Sequence, residues 1–454
     1  MPATTRLAEF VVKTTLRDCP DAAVAQVRRA ALDSIGVVLA GASEPVAGSV
    51  RAVARAEGGA PLCTVLGTSL RTSATWAALA NGTAGHAHDF DDTNFALLGH
   101  PSVPLLAAIL AAAETEPADG AAVTAAYLIG FEVSAALGAA LNPGHYTRGW
   151  HATASIGSLG CAAAAASVLG LDLVQTRHAL GLAASLASGL KENFGSMTKP
   201  FHAGHAARNG VFAALVAREG LTASDSALEG RQGYAAAFSQ ATLAPDAFDH
   251  LGQRWQVLTS GIAVKPYPSC ALTHSAIDAL LAMRAHHGLG AEQVAEIEVG
   301  VNHVVPDVLR HDRPTNGLER KFSMQFCAAA ALASGRVDLG SFDDGPVADA
   351  GTRELMGRVR MVVDPTLPDG LSEQAWTRVT VRLRDGRTLD SAPRGASGHP
   401  EQPLSDAQLR DKFLACATPV IGADEADGVA TQLTHLEDIP DVRALTARLV
   451  TARD

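Results

Sequence analysis

The sequence predicts a mainly α-helical protein, with a large helical domain built from both ends of the chain and a smaller α+β domain inserted between them. Alanine and glycine are abundant and aromatic residues make up only 5% of the 454 residues, a composition that suits closely packed helices better than a β-sandwich. Apolar residues recur at helical spacing through the first half of the chain. Alternation of apolar and polar residues, typical of half-buried strands, begins near residue 293.

The first half of the chain is expected to be helical, apart from a short strand pair or an extended linker at CTVLG, which starts at Cys63. Pro200 suits an early helical position, because a first turn needs no backbone N–H from proline. The helices are expected, in chain order, as two within residues 1–60, one over 73–84, one that starts near Pro101 and runs to 113, three between 121 and 190, and one around Pro200.

The second half is predicted to hold strands at residues 293–302, 359–364 and 375–383, and helices near 271–287 and 323–334. The pair Asp385-Gly386 is a strong hairpin signal. Ser405 and Gln408 form a capping-box pair that indicates a return to helix, and the tail through residues 444–449 is expected to stay helical. We therefore predict a helical domain over 1–262 and 396–454, interrupted by an α+β lid over 263–395.

Several functional classes are unfavoured by composition. The formal charge is −11 and no basic block stands out, which argues against a nucleic-acid partner. Six cysteines occur without any CxxC pair, so we expect free thiols in a reducing, cytoplasmic compartment. The N-terminus lacks the apolar run of a signal peptide. The longest uncharged run, residues 152–171, is only weakly apolar, so a buried helix is favoured over a membrane span.

Gly82–Ser102 is the densest cluster of titratable residues and lies between apolar stretches; it contains His86, His88, Asp89, Asp91, Asp92 and His100. On a helix, His88 and Asp92 would share a face, as would His86 and Asp89. Buried groups of this kind are costly unless they are paired or functional. A capped, solvated helix end is the alternative. The aspartates could also bind a hard cation, but this is a minor alternative and no metal site is predicted.

A second unusual segment, residues 191–209, combines lysine, histidine and arginine, with Lys199 at a predicted helix N-terminus that favours an anion. A surface helix cap is the alternative. No phosphate-binding loop, dinucleotide fingerprint or GxSxG elbow is present. Basic side chains beside groups that titrate near neutral pH suit a substrate with several carboxylates, since lysines hold carboxylates while a histidine or tyrosine moves a proton.

Seven runs of residues resemble the MmgE/PrpD family and occur in that family's order: GTAGHAHDFDDT, HPS, GWHATASIGSLG, LGLDLVQTRHALGLAASLASGL, GSMTKPFHAGHAARNG, EGRQGY and KPYPSCALTHSAIDA. They cover roughly residues 5 to 335. The family includes 2-methylcitrate dehydratase, cis-aconitate decarboxylase and iminodisuccinate epimerase. The resemblance implies a homodimer, a large helical domain with an α+β lid, an active site in the cleft between them, and no metal or organic cofactor.

The resemblance also implies a set of site residues. Positions that line the site in the decarboxylase branch match Asp89, Thr93, His100, His151, Lys199 and Lys265. Two positions differ, because Cys270 stands where that branch has histidine and Phe326 where it has tyrosine, which counts against cis-aconitate decarboxylation. In the epimerase branch, the opposed acid and base match Tyr146 and Lys199.

Roles follow from this set. His151 is the first choice as acid or base, because the ordinary pKa of histidine lies near neutrality. Lys199 and Lys265 are expected to hold carboxylates, and Lys199 is also a candidate for proton transfer. His100 and Asp89 are expected to orient or protonate. The remaining predicted substrate contacts are Thr93, His202, Arg208 and Cys270, while His86, His88 and Asp91 are expected to support the wall of the cleft behind them.

The shared chemistry of the family is a carbanion or enolate formed next to a carboxylate, whose developing charge the site must stabilise. The first hypothesis is a cofactor-free lyase of dehydratase type acting on a small hydroxylated di- or tricarboxylate. The alternatives are an epimerase or racemase of a dicarboxylate, a decarboxylase of a cis-aconitate-like acid, and an inactive helical binding protein. The set of His100, His151, Lys199 and Lys265 argues against the inactive protein, since a scaffold does not need buried cations there.

Overall fold

The computed structural model describes residues 2–244, 246–347, 349–370 and 373–451. It is mainly α, as predicted, with two small sheets. The α-helices are α1 Ala3–Lys13, α2 Asp21–Gly41, α3 Pro45–Glu57, α4 Ala74–Gly85, α5 Ser102–Ala113, α6 Gly120–Leu141, α7 Gly144–Thr147, α8 Ala152–Val168, α9 Leu173–Leu186, α10 Thr198–Arg218, α11 Tyr234–Ser239, α12 Gln256–Thr259, α13 His274–His287, α14 Val305–Val308, α15 Gly317–Arg320, α16 Met324–Ser334, α17 Ala350–Met356, α18 Asp406–Ile421, α19 Ala423–Leu433 and α20 Val442–Thr446.

The C-terminal helices share a hydrophobic core with the N-terminal ones. Ile35 of α2 and Leu105 of α5 belong to the same buried cluster as Phe413 of α18 and Val429 of α19. Close packing of this kind stabilises the fold by removing apolar surface from water. The two ends of the chain therefore meet in one core, while the domain boundaries themselves stay a prediction.

The strands form two sheets. The short pair β1 Cys63–Thr64 and β2 Arg71–Thr72 is antiparallel. The larger sheet has the order β4-β3-β5-β6, with strands β3 Val294–Val301, β4 Val359–Val363, β5 Arg378–Leu383 and β6 Thr388–Asp390. Strands β3 and β4 run parallel and the other pairs are antiparallel. The predicted hairpin at Asp385-Gly386 joins β5 to β6, and Gly386 has the positive φ of 89° that such a turn requires. Helices α13 and α16 cover one face of this sheet in a separate apolar cluster.

Three sequence predictions of secondary structure differ from the structure. The smallest difference is in the tail, where helix α20 ends at Thr446 and not at residue 449. Residues 1–60 hold three α-helices and not two, because Pro45 starts a separate helix after the break at residues 42–44. The Gly82–Ser102 stretch is not helical beyond Gly85, so the expected helical pairs His88–Asp92 and His86–Asp89 do not form. His86 instead contacts Asp91, which becomes possible because the chain turns back on itself after α4.

Helix α6 is long and apolar enough to cross a membrane, and 83% of its apolar window is buried inside the protein. The bent pair of α2 and α3 passes the same test only if it is counted as one span. Core helices of folded proteins meet these criteria of length and composition, so these helices carry no argument for a membrane.

Helices α4 and α10 approach each other at a glycine pair, and this contact sets the wall that carries the candidate site. A Cβ atom at Gly82 would lie 2.6 Å from the Cα of Gly204, closer than packed carbon atoms can be. We expect Gly82→Ala to lower the free energy of unfolding by about 1–3 kcal/mol through overpacking, measured by thermal or denaturant unfolding. Gly48→Ala in α3, which has open space around it, should instead stabilise by about 0.5–1 kcal/mol. Equal changes in the free energy of unfolding at Gly82 and Gly48 would show that the close contact between α4 and α10 does not require glycine.

Candidate active site

A partly enclosed cavity of ≈ 110 Å³ lies where the helical residues meet the α+β residues. Its lining comes from distant parts of the chain: Asp89, Thr93, Asn94, Phe95, Leu98, Gly99, His100, Tyr146, His151, Phe194, Lys199, Lys265, Cys270, Ala271, Leu272, Val304, Val308 and Phe322. Eight of the ten site residues expected from sequence are in this lining. The site therefore exists only in the folded chain.

Asp89 is the centre of the polar wall. Its Oδ1 forms an ion pair with Lys199 Nζ at 2.8 Å and accepts a hydrogen bond from Lys265 Nζ at 2.6 Å, and all three side chains are at least 95% buried. Burial alone would raise the pKa of Asp89, but the two ammonium groups outweigh it and hold that pKa well below its usual value. The φ of Asp89 is 51°, a left-handed conformation that costs roughly 1–2 kcal/mol for a residue with a side chain. This turn directs the carboxylate toward both lysines.

His100 lies between two aspartates. Its Nε2 is 3.5 Å from Asp89 Oδ1 and its Nδ1 is 3.2 Å from Asp91 Oδ2. Asp91 also contacts His86 Nδ1 at 2.8 Å, and both side chains are fully buried behind the cavity. Burial lowers the pKa of His86 to about 4 and also lowers that of His100, although Asp91 opposes the shift. Burial therefore favours the neutral form of both imidazoles, and Asp91 orients them.

His151 occupies the N-cap position of α8 and lines the cavity beside Phe194, with ring centres 4.9 Å apart. Its Nδ1 lies 3.0 Å from Nδ1 of His202, so one of these nitrogens donates and the other accepts. Burial lowers the pKa of His151 well below its ordinary value, and that of His202 to about 4. His202 does not line the cavity itself and supports His151 from behind.

Two buried oxygens face the cavity without a partner. Asp89 Oδ2 and Thr93 Oγ1 have no hydrogen-bond partner among the residues that the structure describes. Thr93 is held in place by its backbone, which pairs with Ala263 in both directions. Unpaired buried polar atoms are costly, and they are expected where a ligand supplies the missing contact.

Four buried side chains beside the cavity carry donor atoms of the kind that bind cations. His86, Asp89, Asp91 and His100 place ligand atoms within 4.8 Å of one another. However, Asp89 Oδ1 already binds two ammonium groups, whose positive charge opposes a metal ion at the same oxygen. Among the charged groups that line the cavity, two cations face one carboxylate. The described residues therefore fit an anionic ligand better than a metal ion.

The other predicted residues are placed as follows. Tyr146 lines the cavity, and burial raises its pKa above the ordinary value. Cys270 also lines the cavity, and burial raises the pKa of its thiol. Arg208 is exposed on the outer side of α10 and does not line the cavity, so the structure does not support the predicted substrate contact. Phe326 packs inside the α+β core against Phe342 and is not part of the lining, so its missing hydroxyl leaves the cavity wall unchanged.

Part of the cavity lining forms an apolar wall that was not anticipated from sequence. It consists of Leu98, Leu272, Val304, Val308 and Phe322. Phe322 also lies near Lys199, whose Nζ is 4.9 Å from its ring centre. The short helix α14 that carries Val308 has no sequence signal of a site, and only the folded chain brings it into the lining.

Asp92 lies behind the cavity and titrates abnormally. Its carboxyl accepts hydrogen bonds from the hydroxyl and the backbone N–H of Ser102, and burial, with the nearby Asp33, raises its pKa to about 8. A raised pKa in the folded state means that this group contributes stability at low pH, which is lost as the pH rises from about 4 to about 8 at up to about 1.4 kcal/mol per pH unit.

Asp92→Asn should therefore be stabilised relative to the wild type progressively more between pH 5 and pH 8, as measured by the melting temperature. The amide carbonyl still accepts from Ser102 and needs no proton. Asp119→Asn serves as the control, since Asp119 is an exposed N-cap of α6 and asparagine caps equally well. If the difference in melting temperature between Asp92→Asn and wild type stays constant from pH 5 to pH 8, the raised pKa of Asp92 is contradicted.

Comparison with known proteins identifies the family. Residues 5–245 match the MmgE/PrpD N-terminal domain and residues 267–437 match the MmgE/PrpD C-terminal domain. The chain is 30% identical to cis-aconitate decarboxylase of Mus musculus over 450 residues, which cover 94% of this chain and 89% of the relative. It is 31% identical to the Homo sapiens cis-aconitate decarboxylase over 392 residues, 84% of this chain and 80% of the relative. It is also 26% identical to the cis-aconitate decarboxylase-like protein oryM of Aspergillus oryzae over 470 residues, 98% and 96% of the two chains. These relatives are named as enzymes, and the resemblance drawn from the seven sequence runs is confirmed: this chain belongs to the MmgE/PrpD family.

Proposed function

We propose that this protein is a lyase that removes CO₂ from a small, cis-aconitate-like polycarboxylate, using side chains alone. The observation that carries the proposal is the buried pair of ammonium groups, Lys199 and Lys265, which share a single carboxylate oxygen of Asp89 at the cavity wall. Cations that outnumber the carboxylate beside them attract an acid with several negative charges. The relatives named cis-aconitate decarboxylase move this reaction from a minor alternative to the first candidate.

The two walls of the cavity suit such a reaction. Carboxylates of the substrate would bind Lys199, Lys265 and the unpartnered Thr93 hydroxyl. The carboxylate that faces Val304 and Val308 would lose its hydration, and its departure as CO₂ removes that charge from the apolar side. The electron pair of the broken C–C bond passes into the neighbouring C=C bond, and the negative charge spreads onto the carboxylate that the lysines hold. A proton added to the far carbon of that system completes the product.

The proton donor is assigned to His151, with His100 and Asp89 as orienting groups. In the free protein burial keeps the His151 pKa low and the ring neutral. A bound polycarboxylate adds negative charge next to this ring and to His100, which raises the pKa of both. Substrate binding therefore supplies the condition under which His151 takes up the proton that it later transfers.

Dehydration of a hydroxylated tricarboxylate is the second candidate. Cys270 lines the cavity at the position where the decarboxylase branch has a histidine, and burial raises the pKa of its thiol, so it does not replace an imidazole near neutral pH. The epimerase alternative is less favoured, because the raised pKa of Tyr146 makes its phenolate scarce near neutral pH.

One experiment distinguishes the reactions. The protein is incubated in D₂O with cis-aconitate and with a panel of citrate-like and succinate-like acids, while proton NMR and released CO₂ are followed. Decarboxylation predicts CO₂ and a terminal methylene product that carries one deuterium on the neighbouring CH₂. An alkene formed from a hydroxy acid without CO₂ would assign a hydro-lyase, and deuterium at the α-carbon without net change an isomerase. Thermal stabilisation by an acid without turnover would indicate a binding protein, and no response to any acid would contradict a carboxylate site.

A further inference from the structure

Three consecutive backbone carbonyls at the site each accept a hydrogen bond from a different buried lysine. The carbonyl of His88 accepts from Lys321 Nζ at 2.8 Å, that of Asp89 from Lys265 Nζ at 2.9 Å, and that of Phe90 from Lys412 Nζ at 2.7 Å. These lysines lie 233, 176 and 322 residues away in the sequence. They come from the α+β residues, from the connection that leads into them, and from the C-terminal helix α18.

Lys321 stands out because none of the described carboxylates lies at bonding distance from its ammonium group. Its side chain is buried, and the acceptors of Nζ are the carbonyls of His88 and, at 3.3 Å, Pro268. Burial of a cation against neutral acceptors is costly, and burial lowers the pKa of Lys321 to about 8. An apolar side chain of similar size would fill this space without that cost. A role beyond stability is therefore indicated.

Lys412 connects the two chain segments that carry Asp89 and Lys265. Its Nζ forms an ion pair with buried Asp33 at 2.5 Å and also donates to the carbonyls of Phe90 and Lys265, the second at 2.9 Å. The ammonium group lies 3.8 Å from the centre of the Phe90 ring. The C-terminal helix thus connects the residue after Asp89 directly to the backbone of Lys265.

The geometry fixes the conformation of Asp89. The peptide plane before Asp89 contains the His88 carbonyl, and the plane after it contains the Asp89 carbonyl. Because φ and ψ of Asp89 are the rotations of these two planes, anchoring both carbonyls fixes both angles. The result is the left-handed φ of 51°, which a residue with a side chain keeps only when its surroundings determine it.

We propose that Lys321 and Lys412 are positioning residues for the lyase reaction, which with Lys265 hold the carbonyls of residues 88–90 so that the Asp89 carboxylate meets Lys199. The catalytic consequence rests on the proposed function. The three lysine–carbonyl contacts themselves, here called the clamp, do not depend on it. The backbone carbonyl of Lys321 accepts a hydrogen bond from the Cys270 backbone N–H at 2.9 Å, which helps to hold this lining residue in place.

The test uses Lys321→Met, which keeps the length of the side chain and removes its charge. Backbone hydrogen exchange of peptides that cover residues 86–95 should become at least about tenfold faster, while peptides of the distant sheet do not change. The control is Lys13→Met, because Lys13 is exposed and remote from the cavity. If Lys321→Met does not fold, the charge-balanced pair Lys412→Met with Asp33→Asn removes the neighbouring anchor instead. Unchanged exchange over residues 86–95 would overturn the proposal.

Turnover separates positioning from general stability. If the wild-type protein turns over an acid, Lys321→Met should lower kcat about 10- to 100-fold and change KM less than about threefold. The double variant Lys321→Met with Asp89→Asn should have a kcat/KM less than about twofold below that of Asp89→Asn alone. The reason is that the carboxylate through which Lys321 acts is already removed. If the fold losses of kcat/KM in the two single variants multiply in the double variant, Lys321 has an independent structural role and the proposal is contradicted. If the wild type turns over no acid, the proposed function fails, and the exchange measurement still decides whether the clamp exists.

Discussion

Lys199→Met is expected to lower kcat/KM for the physiological acid by about 10³-fold or more while the protein stays folded. Lys199 is buried at the cavity wall and forms an ion pair with Asp89 at 2.8 Å, so it is available both to hold a substrate carboxylate and to stabilise charge that develops on it. Loss of one such electrostatic contact typically costs 10²- to 10³-fold in rate, and loss of a proton-transfer group 10²- to 10⁴-fold. Steady-state kinetics with the substrate found by NMR measures the effect.

The fold should survive because Asp89 keeps a second partner. Lys265 Nζ remains 2.6 Å from the same oxygen, so no buried carboxylate is left without a cation. Methionine fills nearly the same volume and lies near the rings of Phe194 and Phe322. Circular dichroism and the melting temperature should match the wild type closely, as should those of the exposed control Lys13→Met. Activity of Lys199→Met within a few-fold of wild type would show that the central role assigned to Lys199 is wrong.

Much of the fold was predictable because local signals decide it. The hairpin at Asp385-Gly386, the capping box of Ser405 and Gln408, and the start of α10 next to Lys199 each depend on a few neighbouring residues. The helical pairing inside Gly82–Ser102 was wrong for the opposite reason. Its geometry is set by lysines that lie hundreds of residues away, and no local propensity reveals them.

The same distinction applies to the site. The motif-bearing residues Asp89, His100, His151, Lys199 and Lys265 were found by resemblance and the structure brings them together. Arg208 lies within the same motif, yet its position on α10 points it outward, since residues nine apart on a helix face different directions. The apolar wall with Val304 and Val308, and the positioning lysines, carry no motif and are visible only after folding. Assembly as a homodimer and the cytoplasmic location stay predictions.

Asp89→Asn is expected to keep only a small residual activity and to be strongly destabilised. The substitution preserves shape but leaves the ammonium groups of Lys199 and Lys265 buried against a neutral amide. Removal of one partner from a buried ionic cluster typically costs about 3–5 kcal/mol, because the remaining charge keeps its desolvation penalty without its counter-charge. Denaturant unfolding of the variant should show this loss, and kcat/KM should fall together with it.

The double variant Asp89→Asn with Lys199→Met tests whether unpaired cations cause the destabilisation. This protein again has equal losses of positive and negative charge, so most of the lost stability should return, although activity should not. Lys265 then keeps the carbonyl of Asn at position 89 as an acceptor in place of the carboxylate, since its 2.9 Å hydrogen bond is to the backbone. A tricarboxylate such as propane-1,2,3-tricarboxylate should stabilise Asp89→Asn more than the double variant, because it supplies negative charge to two cations and not one. If the double variant is no more stable than Asp89→Asn, unpaired cations are not the cause of the destabilisation, and the left-handed backbone of residue 89 becomes the better explanation.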